Sequence, residues 1–324
     1  MVRLEELITS ARKARDTRFG GDILFYAPSV KHYESTEFPP GRPHDFVPVS
    51  VTGPVCELGC DHCKGRLLAS MQEVRDPADL LSLASRLADR GCRGLLVSGG
   101  SDLDGRVPLL PFVDAMARIR QTLGLKIVVH TGIVTEDLAL GLARAGVECA
   151  MLDVVGDAGT IEHVLHLDGG PEMIAASLEI LEGSGVRTVP HVVVGLASGR
   201  LAGELEALEI IARGRPSAVV VVVLDPLSGT PMGGLEPPAV HDVATVLARA
   251  RLRFPHVPVM LGCARPGGPH RAETDRFALE AGLNGIAFPA EGTVALARQM
   301  GYEPRFAREC CSLVIDAMDP AGDT

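Results

Sequence analysis

Short apolar runs alternate with amphipathic segments along most of the chain. The runs are rich in Val, Ile and Leu, which is typical of parallel strands that are buried on both faces. They predict strands at 46–52, 94–98, 126–131, 149–154, 187–194, 218–224, 257–261 and 285–288. The segments between them have helical spacing and predict helices at 77–90, 109–123, 136–145, 171–183, 203–212, 239–253 and 271–281.

Eight strand–helix units in a row predict an α/β protein with a closed (β/α)8 barrel of the TIM type. The barrel is expected to occupy residues 46–290. Residues 1–45 are predicted to form an N-terminal extension or cap. Residues 291–324 are predicted to form a C-terminal helix and a tail over the top of the barrel. The active site of this fold lies at the carboxyl ends of the strands, so the chemistry is expected there.

The composition argues against several functions. The formal net charge of −10 disfavours sequence-independent binding of nucleic acid, which needs a basic face. No apolar run has the length of a membrane span. Eight cysteines without a recognisable secretory leader indicate a reducing compartment, where thiolates serve metals, and therefore a cytoplasmic location.

Three cysteines lie within eight residues directly after the first predicted strand: Cys56, Cys60 and Cys63. Three thiolates on one loop suit a [4Fe–4S] cluster and leave one of its irons open for a small molecule. A disulfide is disfavoured because such short spacings strain the bridge. A structural zinc site that includes His62 stays an alternative, although zinc sites usually combine two separated ligand pairs.

The Cys-x3-Cys-x2-Cys spacing after a first strand resembles the signature of the radical S-adenosylmethionine enzymes. The resemblance implies that the open iron binds S-adenosylmethionine. It also implies that reductive cleavage, with electrons from a reduced ferredoxin or flavodoxin, yields a 5′-deoxyadenosyl radical that abstracts hydrogen from the substrate. The residue before the third cysteine is usually aromatic in this family, whereas it is His62 here.

The ends of the second and fourth predicted strands carry residues that resemble the cofactor contacts of this family. Gly99 and Gly100 match the glycines of a Gly-Gly-Glu segment that holds the amino group of the cofactor. Ser101 replaces the acidic residue, and Asp102 is expected to substitute for it. Asp153 is expected to bind the ribose hydroxyls, as carboxylates do in other nucleotide sites.

Four further residues are assigned to the cofactor or the substrate. His130 is expected to contact the adenosine or carry a proton, or else to satisfy a local backbone group. Gly195 lies in a stretch similar to the fifth-strand motif of the family, near the adenine. His191 is either a substrate ligand or a core histidine. Arg265 can clamp a carboxylate or a phosphate.

Five cysteines lie outside the three-cysteine loop. Cys92 and Cys149 are at or just before strand starts and are predicted to be buried, inert thiols. Cys263 follows the seventh strand, and Cys310 and Cys311 lie in the tail. Because a tail over the barrel top would bring these last three thiols to one face, they are predicted to bind an auxiliary iron–sulfur cluster.

The whole chain resembles the biotin synthase branch of the radical S-adenosylmethionine enzymes, and within it a subunit of the two-component lipoyl synthases. The segments that carry this resemblance are 49–53, 63–68, 130–132, 229–232 and 262–266. It implies insertion of sulfur into a protein-bound octanoyl chain, with a second radical subunit and a lipoyl carrier protein as partners. Two alternatives stay open. One is a mutase, methylornithine synthase-like or hydrogenase-maturation-like enzyme with a single cluster, and the other is a non-catalytic iron–sulfur protein.

Overall fold

A computed structural model describes residues 3–30, 32–39 and 44–318. Its strands pair in parallel in two sheets, in the orders β11–β1–β10–β9–β8–β7 and β3–β2–β4–β5–β6. The strands are β1 Asp22–Tyr26, β2 Phe46–Ser50, β3 Gln72–Glu73, β4 Gly94–Ser98, β5 Lys126–His130, β6 Cys149–Met151, β7 His191–Val194, β8 Val219–Val223, β9 Val259–Leu261, β10 Gly285–Ala287 and β11 Glu303–Ala307.

Helices follow most of the strands and cover the outside of the sheets. They are α1 Leu4–Asp16, α2 Pro77–Asp89, α3 Val113–Leu123, α4 Glu136–Ala145, α5 Ala158–Thr160, α6 Pro171–Gly183, α7 Glu204–Ile211, α8 Val240–Arg253, α9 Gly268–Glu280, α10 Thr293–Gln299 and α11 Val314–Met318. Short 3-10 turns span Arg66–Ser70, Leu110–Phe112 and Cys311–Leu313, and a π-helical turn spans Ile161–Leu165.

The predicted (β/α)8 architecture is confirmed. Each of the eight predicted strands contains an observed strand, and the order around the sheets follows the chain from β2 through β4 to β10. Isolated parallel bridges, Ala150 with Thr188 and Asp153 with His191, join β6 to β7 and so connect the two sheets. At the other junction the Ser29 side chain bonds to the backbone N–H and C=O of Phe46, which begins β2.

Local sequence explains where these elements begin and end. The strand β8 is five consecutive valines, all buried, as expected for a strand covered on both faces. The helix α2 begins after Asp76, whose carboxylate accepts a hydrogen bond from the Asp79 N–H, and Pro77 occupies its first turn. The helix α4 begins after Thr135, which caps it in the same way, and ends at Gly146, where φ is +66°.

The N-terminal residues contribute a strand to the barrel wall, in addition to the predicted extension. The helix α1 packs against α8 on the outside. The strand β1 then pairs with β10 on one side and β11 on the other. The Pro/Gly-rich residues 40–43 and the last residues of the tail, 319–324, lie outside the described part of the chain.

As far as residue 318, the C-terminal tail does not cross the top of the barrel as predicted. Glu309 and Asp316 both pair with Lys126, the first residue of β5, and Asp316 also pairs with Arg187, which precedes β7. The thiol of Cys149, the first residue of β6, lies 3.9 Å from the carbonyl oxygen of Ser312. The tail therefore closes the amino-terminal end of the barrel, because its charged side chains pair with cations at that end.

The interior of the barrel is not filled by side chains along its whole length. Side chains alternate between the two faces of a strand, and Leu96, Ser98, His130 and Val193 are half-buried although helices cover the outer face of their strands. Asp153, at the carboxyl end of β6, retains 46% of its side-chain exposure. A hollow lumen that opens at the carboxyl ends of the strands accounts for this exposure.

Candidate active site

The three predicted cluster ligands lie on one loop at the carboxyl end of β2. The carbonyl oxygen of Cys60 accepts hydrogen bonds from the N–H groups of Cys63 (3.2 Å) and Lys64 (2.8 Å), so the chain turns tightly between the second and third cysteines. Lys64 and Gly65 both have positive φ, +46° and +72°, which keeps the loop compact. All three thiols therefore lie on a short, well-defined loop over the lumen.

Carbonyl groups from two other loops contact the first and second of these thiols. The thiol of Cys56 lies 3.8 Å from the carbonyl oxygen of Ser101, after β4. The thiol of Cys60 lies 3.5 Å from the carbonyl oxygen of Leu165, in the loop after β6. Hydrogen bonding with Cys60, helped by His62, lowers the pKa of Cys63 to about 4, and the same contact raises the pKa of Cys60. At least one of these thiols is therefore predisposed to act as a thiolate ligand.

His62 lies inside the site between the cysteine loop and the lumen. Burial opposes its charged form, but contact with the Cys63 thiol and the charge of Asp153 raise the pKa of His62. Its Nδ1 atom is buried and has no hydrogen-bond partner among the described residues. A buried polar atom without a partner is costly, so a polar ligand bound beside the cysteine loop would relieve this cost.

Gly99 and Gly100 support the cysteine loop directly. The Gly100 N–H donates to the Thr52 hydroxyl at 2.7 Å. A Cβ atom at Gly100 would lie 2.0 Å from the carbonyl oxygen of Val55 and 2.6 Å from the Cα of Cys56. The glycine is therefore required for close approach of protein backbone; a contact of Gly99 or Gly100 with the cofactor stays a prediction.

We expect Gly100→Ala to displace the cysteine loop. The added methyl group would collide with backbone atoms, and such overpacking typically costs about 1–3 kcal/mol. The urea concentration at the midpoint of unfolding and the iron content after anaerobic reconstitution should both decrease relative to the wild type. Gly183→Ala is the matched control, because no atom lies within 4 Å of the added Cβ. Equal iron content in the two variants would contradict this role of Gly100.

His130, Asp153 and His191 meet inside the lumen, on three neighbouring strands. The Nε2 atom of His130 lies 3.7 Å from a carboxylate oxygen of Asp153. The imidazole rings of His130 and His191 are 5.6 Å apart and inclined by 61°. The Nδ1 atom of His191 lies 3.0 Å from the carbonyl oxygen of Val189. The three side chains form one polar cluster below the cysteine loop.

The electrostatics of this cluster separate the roles of its two histidines. Burial opposes the charged forms of His130 and Asp153, but their mutual attraction raises the pKa of His130 and lowers the pKa of Asp153 to about 2. Burial and the nearby charge of His130 lower the pKa of His191 to about 4. At neutral pH the cluster therefore offers a carboxylate, a neutral imidazole and a histidine that keeps its proton to higher pH than usual.

Two other predicted cofactor residues have local structural roles. The carboxylate of Asp102 accepts hydrogen bonds from the N–H groups of Asp104 (3.0 Å) and Arg106 (2.8 Å), which folds the loop after β4. Gly195 has a φ of +83°, and a Cβ there would lie 2.7 Å from Pro238. Its N–H donates to the buried carboxylate of Glu204. These contacts explain both residues without a ligand, and their contact with the cofactor stays a prediction.

The prediction that Arg265 clamps a substrate is not supported by the structure. The guanidinium group is fully buried and forms an ion pair with Asp275 at 2.7 Å. It also donates to the carbonyl oxygens of Gly262, Ala287 and Phe288. Arg265 therefore ties the ends of β9 and β10 to α9, because a buried guanidinium must place its donors on protein acceptors when no ligand is in reach.

The late cysteines occupy different environments. Cys310 is half-buried and Cys311 is buried, both at the amino-terminal end of the barrel, whereas Cys263 is exposed after β9. Cys263 is nevertheless within electrostatic range of Cys311. Cys92 and Cys149 are both buried, as predicted. Within residues 3–30, 32–39 and 44–318, no three His, Cys, Asp or Glu side chains converge closely enough to hold a single metal ion, as a zinc site would require.

One element of the site, the loop after β6, was not predicted from the sequence. The carbonyl oxygen of Val164 accepts a hydrogen bond from the N–H of Asp61 at 2.9 Å. The ring of His166 bonds to the carboxylate of Asp61, also at 2.9 Å. This loop therefore braces the cysteine loop from the side opposite β4, through backbone groups that a sequence pattern does not reveal.

Sequence comparison places the chain among relatives of one enzyme. No protein-family model matches it. The biotin synthase of Halorhodospira halophila is 25% identical over 277 residues, which covers 82% of this chain and 81% of that protein. The biotin synthase of Xanthomonas campestris pv. campestris is 23% identical over 312 residues, which covers 92% and 87%. The chain is thus similar to biotin synthases over most of its length, at low identity.

Comparison with solved structures supports the fold. The crystal structure of methylornithine synthase (PylB) matches with a TM-score of 0.66 at 16% identity, over 97% of this chain and 91% of that one. The FeFe-hydrogenase maturase HydG of Carboxydothermus hydrogenoformans matches with a TM-score of 0.63 at 15% identity, over 94% and 72%. The described part of the chain contains no helix that is long and apolar enough to span a membrane.

Proposed function

We propose that the chain is a radical S-adenosylmethionine enzyme whose [4Fe–4S] cluster is held by Cys56, Cys60 and Cys63. The observation that carries the proposal is the position of the three thiols on one compact loop, at the carboxyl end of β2 and above a hollow lumen. The homology to biotin synthases supports the same branch of these enzymes. When bound, the cluster and S-adenosylmethionine supply reductive cleavage and a radical that abstracts hydrogen from the substrate.

The residues of the chain orient the reactants and shield them. Asp153 offers a carboxylate for the ribose hydroxyls, and His130 holds that carboxylate in place. His191 is neutral at pH 7 because of its lowered pKa, so it can accept or donate a hydrogen bond without adding charge. The tail closes the far end of the barrel and, with the helices outside, excludes water from the strand interior.

We further propose that the reaction inserts sulfur into an octanoyl chain bound to a carrier protein. The substrate would enter the lumen from the carboxyl ends of the strands and lie along the half-buried side chains of Leu96 and Val193. An auxiliary iron–sulfur cluster with Cys310 and Cys311 among its ligands would supply the sulfur. The proposal requires a reduced ferredoxin or flavodoxin as electron donor and a second radical subunit as a partner.

Exposed apolar side chains at the rim of the barrel favour a substrate that is bound to a protein. Five of the eight large apolar side chains that are exposed in the described residues lie on loops after strand ends. They are Val55, Leu67, Leu103, Leu201 and Leu235. Exposed apolar side chains that surround one opening are typical of a surface that binds a protein. We infer that the carrier protein and the second subunit use this rim.

The experiment that tests the proposed reaction is anaerobic reconstitution, followed by incubation with S-adenosylmethionine, a reductant and an octanoylated carrier peptide. Mass spectrometry should show peptide carrying one or two added sulfur atoms, together with 5′-deoxyadenosine, once the second radical subunit is supplied. Formation of 5′-deoxyadenosine with an unmodified or rearranged peptide would contradict sulfur insertion and favour the enzyme with a single cluster.

Asp153→Asn should weaken binding of S-adenosylmethionine. The substitution keeps the size of the side chain and removes the charge that strengthens its hydrogen bonds, a difference of about 1.5–3 kcal/mol. The dissociation constant should therefore rise about tenfold or more. Isothermal titration of the reconstituted protein measures it, with Asp104→Asn as a control on an exposed carboxylate that pairs with Arg106. An unchanged constant in Asp153→Asn would assign the ribose contact to another residue.

A further inference from the structure

The turn of the tail at residues 310–312 enters the interior of the barrel from its amino-terminal end. Cys311 and Ser312 are buried, and Cys310 is half-buried. The hydroxyl of Ser312 lies 2.7 Å from the sulfur of Met151 on β6. The thiol of Cys149 lies 3.9 Å from the carbonyl oxygen of the same serine. Cys149 therefore lies beside the turn that carries Cys310 and Cys311, although more than 150 residues separate them in the sequence.

The side chain of Cys149 points into the lumen. Cys149 and Met151 are two residues apart on β6 and so lie on the same face, and their partners on β5 are Val128 and His130. His130 belongs to the polar cluster inside the lumen. Cys310 is within electrostatic range of both Cys149 and His130. The thiols thus form a floor beneath the polar cluster, on the side opposite the three-cysteine loop.

Tyr26 completes this floor from the other side of the barrel. It is 1% exposed, and its hydroxyl has no hydrogen-bond partner among the described residues. Cys311, Glu309 and Cys310 all act on it electrostatically, Cys311 most strongly. A buried hydroxyl without an acceptor costs about 1–3 kcal/mol. The orphaned donor, within electrostatic range of these thiols, indicates that an acceptor binds there.

We propose that Cys149, Cys310 and Cys311 are the ligands of an iron–sulfur cluster at the floor of the barrel, and that the Tyr26 hydroxyl donates a hydrogen bond to one of its sulfur atoms. Thiolates are the ligands such clusters take, and each thiolate binds a different iron, so the thiols need not converge as they would around a single ion. The cluster neutralises buried thiolate charge and supplies the missing acceptor. The presence of this cluster does not depend on the proposed function; its role as the auxiliary cluster that supplies sulfur does.

This ligand set differs from the one predicted from the sequence. Cys149 replaces Cys263, because Cys149 is buried inside the barrel next to the tail turn, whereas Cys263 is exposed after β9. The two sets share Cys310 and Cys311, so substitution of the two differing cysteines distinguishes them. Cys92 offers a matched control, since it is also a buried cysteine near a strand start, with its thiol on the carbonyl oxygen of Gly94.

The test uses the full chain in which Cys56, Cys60 and Cys63 are replaced by Ala, so that iron at the floor is counted alone. After anaerobic reconstitution with ferrous iron and sulfide, this variant should still bind iron, and Mössbauer spectra should show cluster iron. Addition of Cys149→Ala should remove that iron, whereas addition of Cys92→Ala or Cys263→Ala should leave it. Circular dichroism reports whether each variant is folded, and Cys149→Val provides a second variant of similar size without a donor atom for iron.

Tyr26→Phe gives an independent readout. The variant should keep its floor iron, but the reduction potential of that iron should become lower, because a hydrogen bond to a cluster sulfur stabilises the reduced state. The inference is overturned if the background variant binds no iron, if folded Cys149→Ala or Cys149→Val keeps it, or if Cys263→Ala alone removes it. Failure of the proposed function is a separate result, since it is the absence of 5′-deoxyadenosine formation by the wild-type chain.

Discussion

Replacement of Cys56, Cys60 and Cys63 by Ala should reduce the formation of 5′-deoxyadenosine to the level of a protein-free control. All three thiols lie on the loop at the carboxyl end of β2, and the described residues around them hold that loop through Ser101 and Leu165. Without thiolates the loop offers no strong ligand for iron. The nucleoside is measured by liquid chromatography after anaerobic incubation with S-adenosylmethionine and dithionite.

Cys92→Ala is the control for this triple variant. Cys92 is buried just before β4, on the amino-terminal side of the barrel, and its thiol bonds to backbone carbonyl groups. Its removal should leave nucleoside formation close to that of the wild type. Nucleoside formation by the folded triple variant would show that another site cleaves the cofactor, and the central assignment would then be wrong.

Arg265→Met should lower the free energy of unfolding by about 3–5 kcal/mol, as removal of one partner of a buried ion pair usually does. Asp275 would keep its charge in a buried position without its strongest partner. Three carbonyl oxygens at the ends of β9 and β10 would lose the same donor. Urea unfolding, followed by circular dichroism, measures the difference.

Arg253→Met is the matched control on an exposed ion pair. Arg253 lies 3.0 Å from Glu209, and the two side chains are 42% and 62% exposed. Exposed pairs typically contribute about 0–1 kcal/mol. The midpoint of urea unfolding of this variant should therefore be close to that of the wild type. Similar losses in the two variants would show that Arg265 is not the buried structural clamp described above.

The sequence contains enough information for most of the barrel. Runs such as Val219–Val223 are continuous and apolar because helices cover one face and the barrel interior the other, so their positions were predictable. Besides the two-residue strand Gln72–Glu73, two strands escaped prediction. The apolar run Asp22–Tyr26 was a detectable signal within the presumed cap, whereas Glu303–Ala307 is an edge strand of mixed polarity, which has no clear periodicity.

The site was predictable to the extent that it depends on spacing and on strand ends. The spacing of Cys56, Cys60 and Cys63 and the position of the loop after the first predicted strand determine the geometry of the proposed cluster site. The partners of Arg265 and the position of the tail could not be predicted, since both depend on tertiary contacts and not on a local pattern in the sequence. Asp275 is ten residues from Arg265, and Lys126 is 183 residues from Glu309.

Gly100 and Cys149 are two residues whose contacts differ from those that their sequence patterns predict. Two adjacent glycines resemble a ligand-binding segment, yet the close contact at Gly100 is with the backbone of Val55 and Cys56. A cysteine at the start of a strand is typical of an inert core thiol, yet Cys149 meets the tail turn inside the barrel. The sequence indicates the type of residue at each position, whereas the contacts are determined by how the strands and the tail come together.

The measurement that tests the central claim most directly is electron paramagnetic resonance of the reduced, reconstituted wild-type protein with and without S-adenosylmethionine. An open iron at the three-cysteine loop predicts that the cofactor changes the g-values of the [4Fe–4S]+ signal. It also predicts hyperfine coupling to 15N in the amino group of labelled cofactor. A cluster signal that stays unchanged at saturating cofactor, without coupling to the label, would contradict the proposed radical S-adenosylmethionine site.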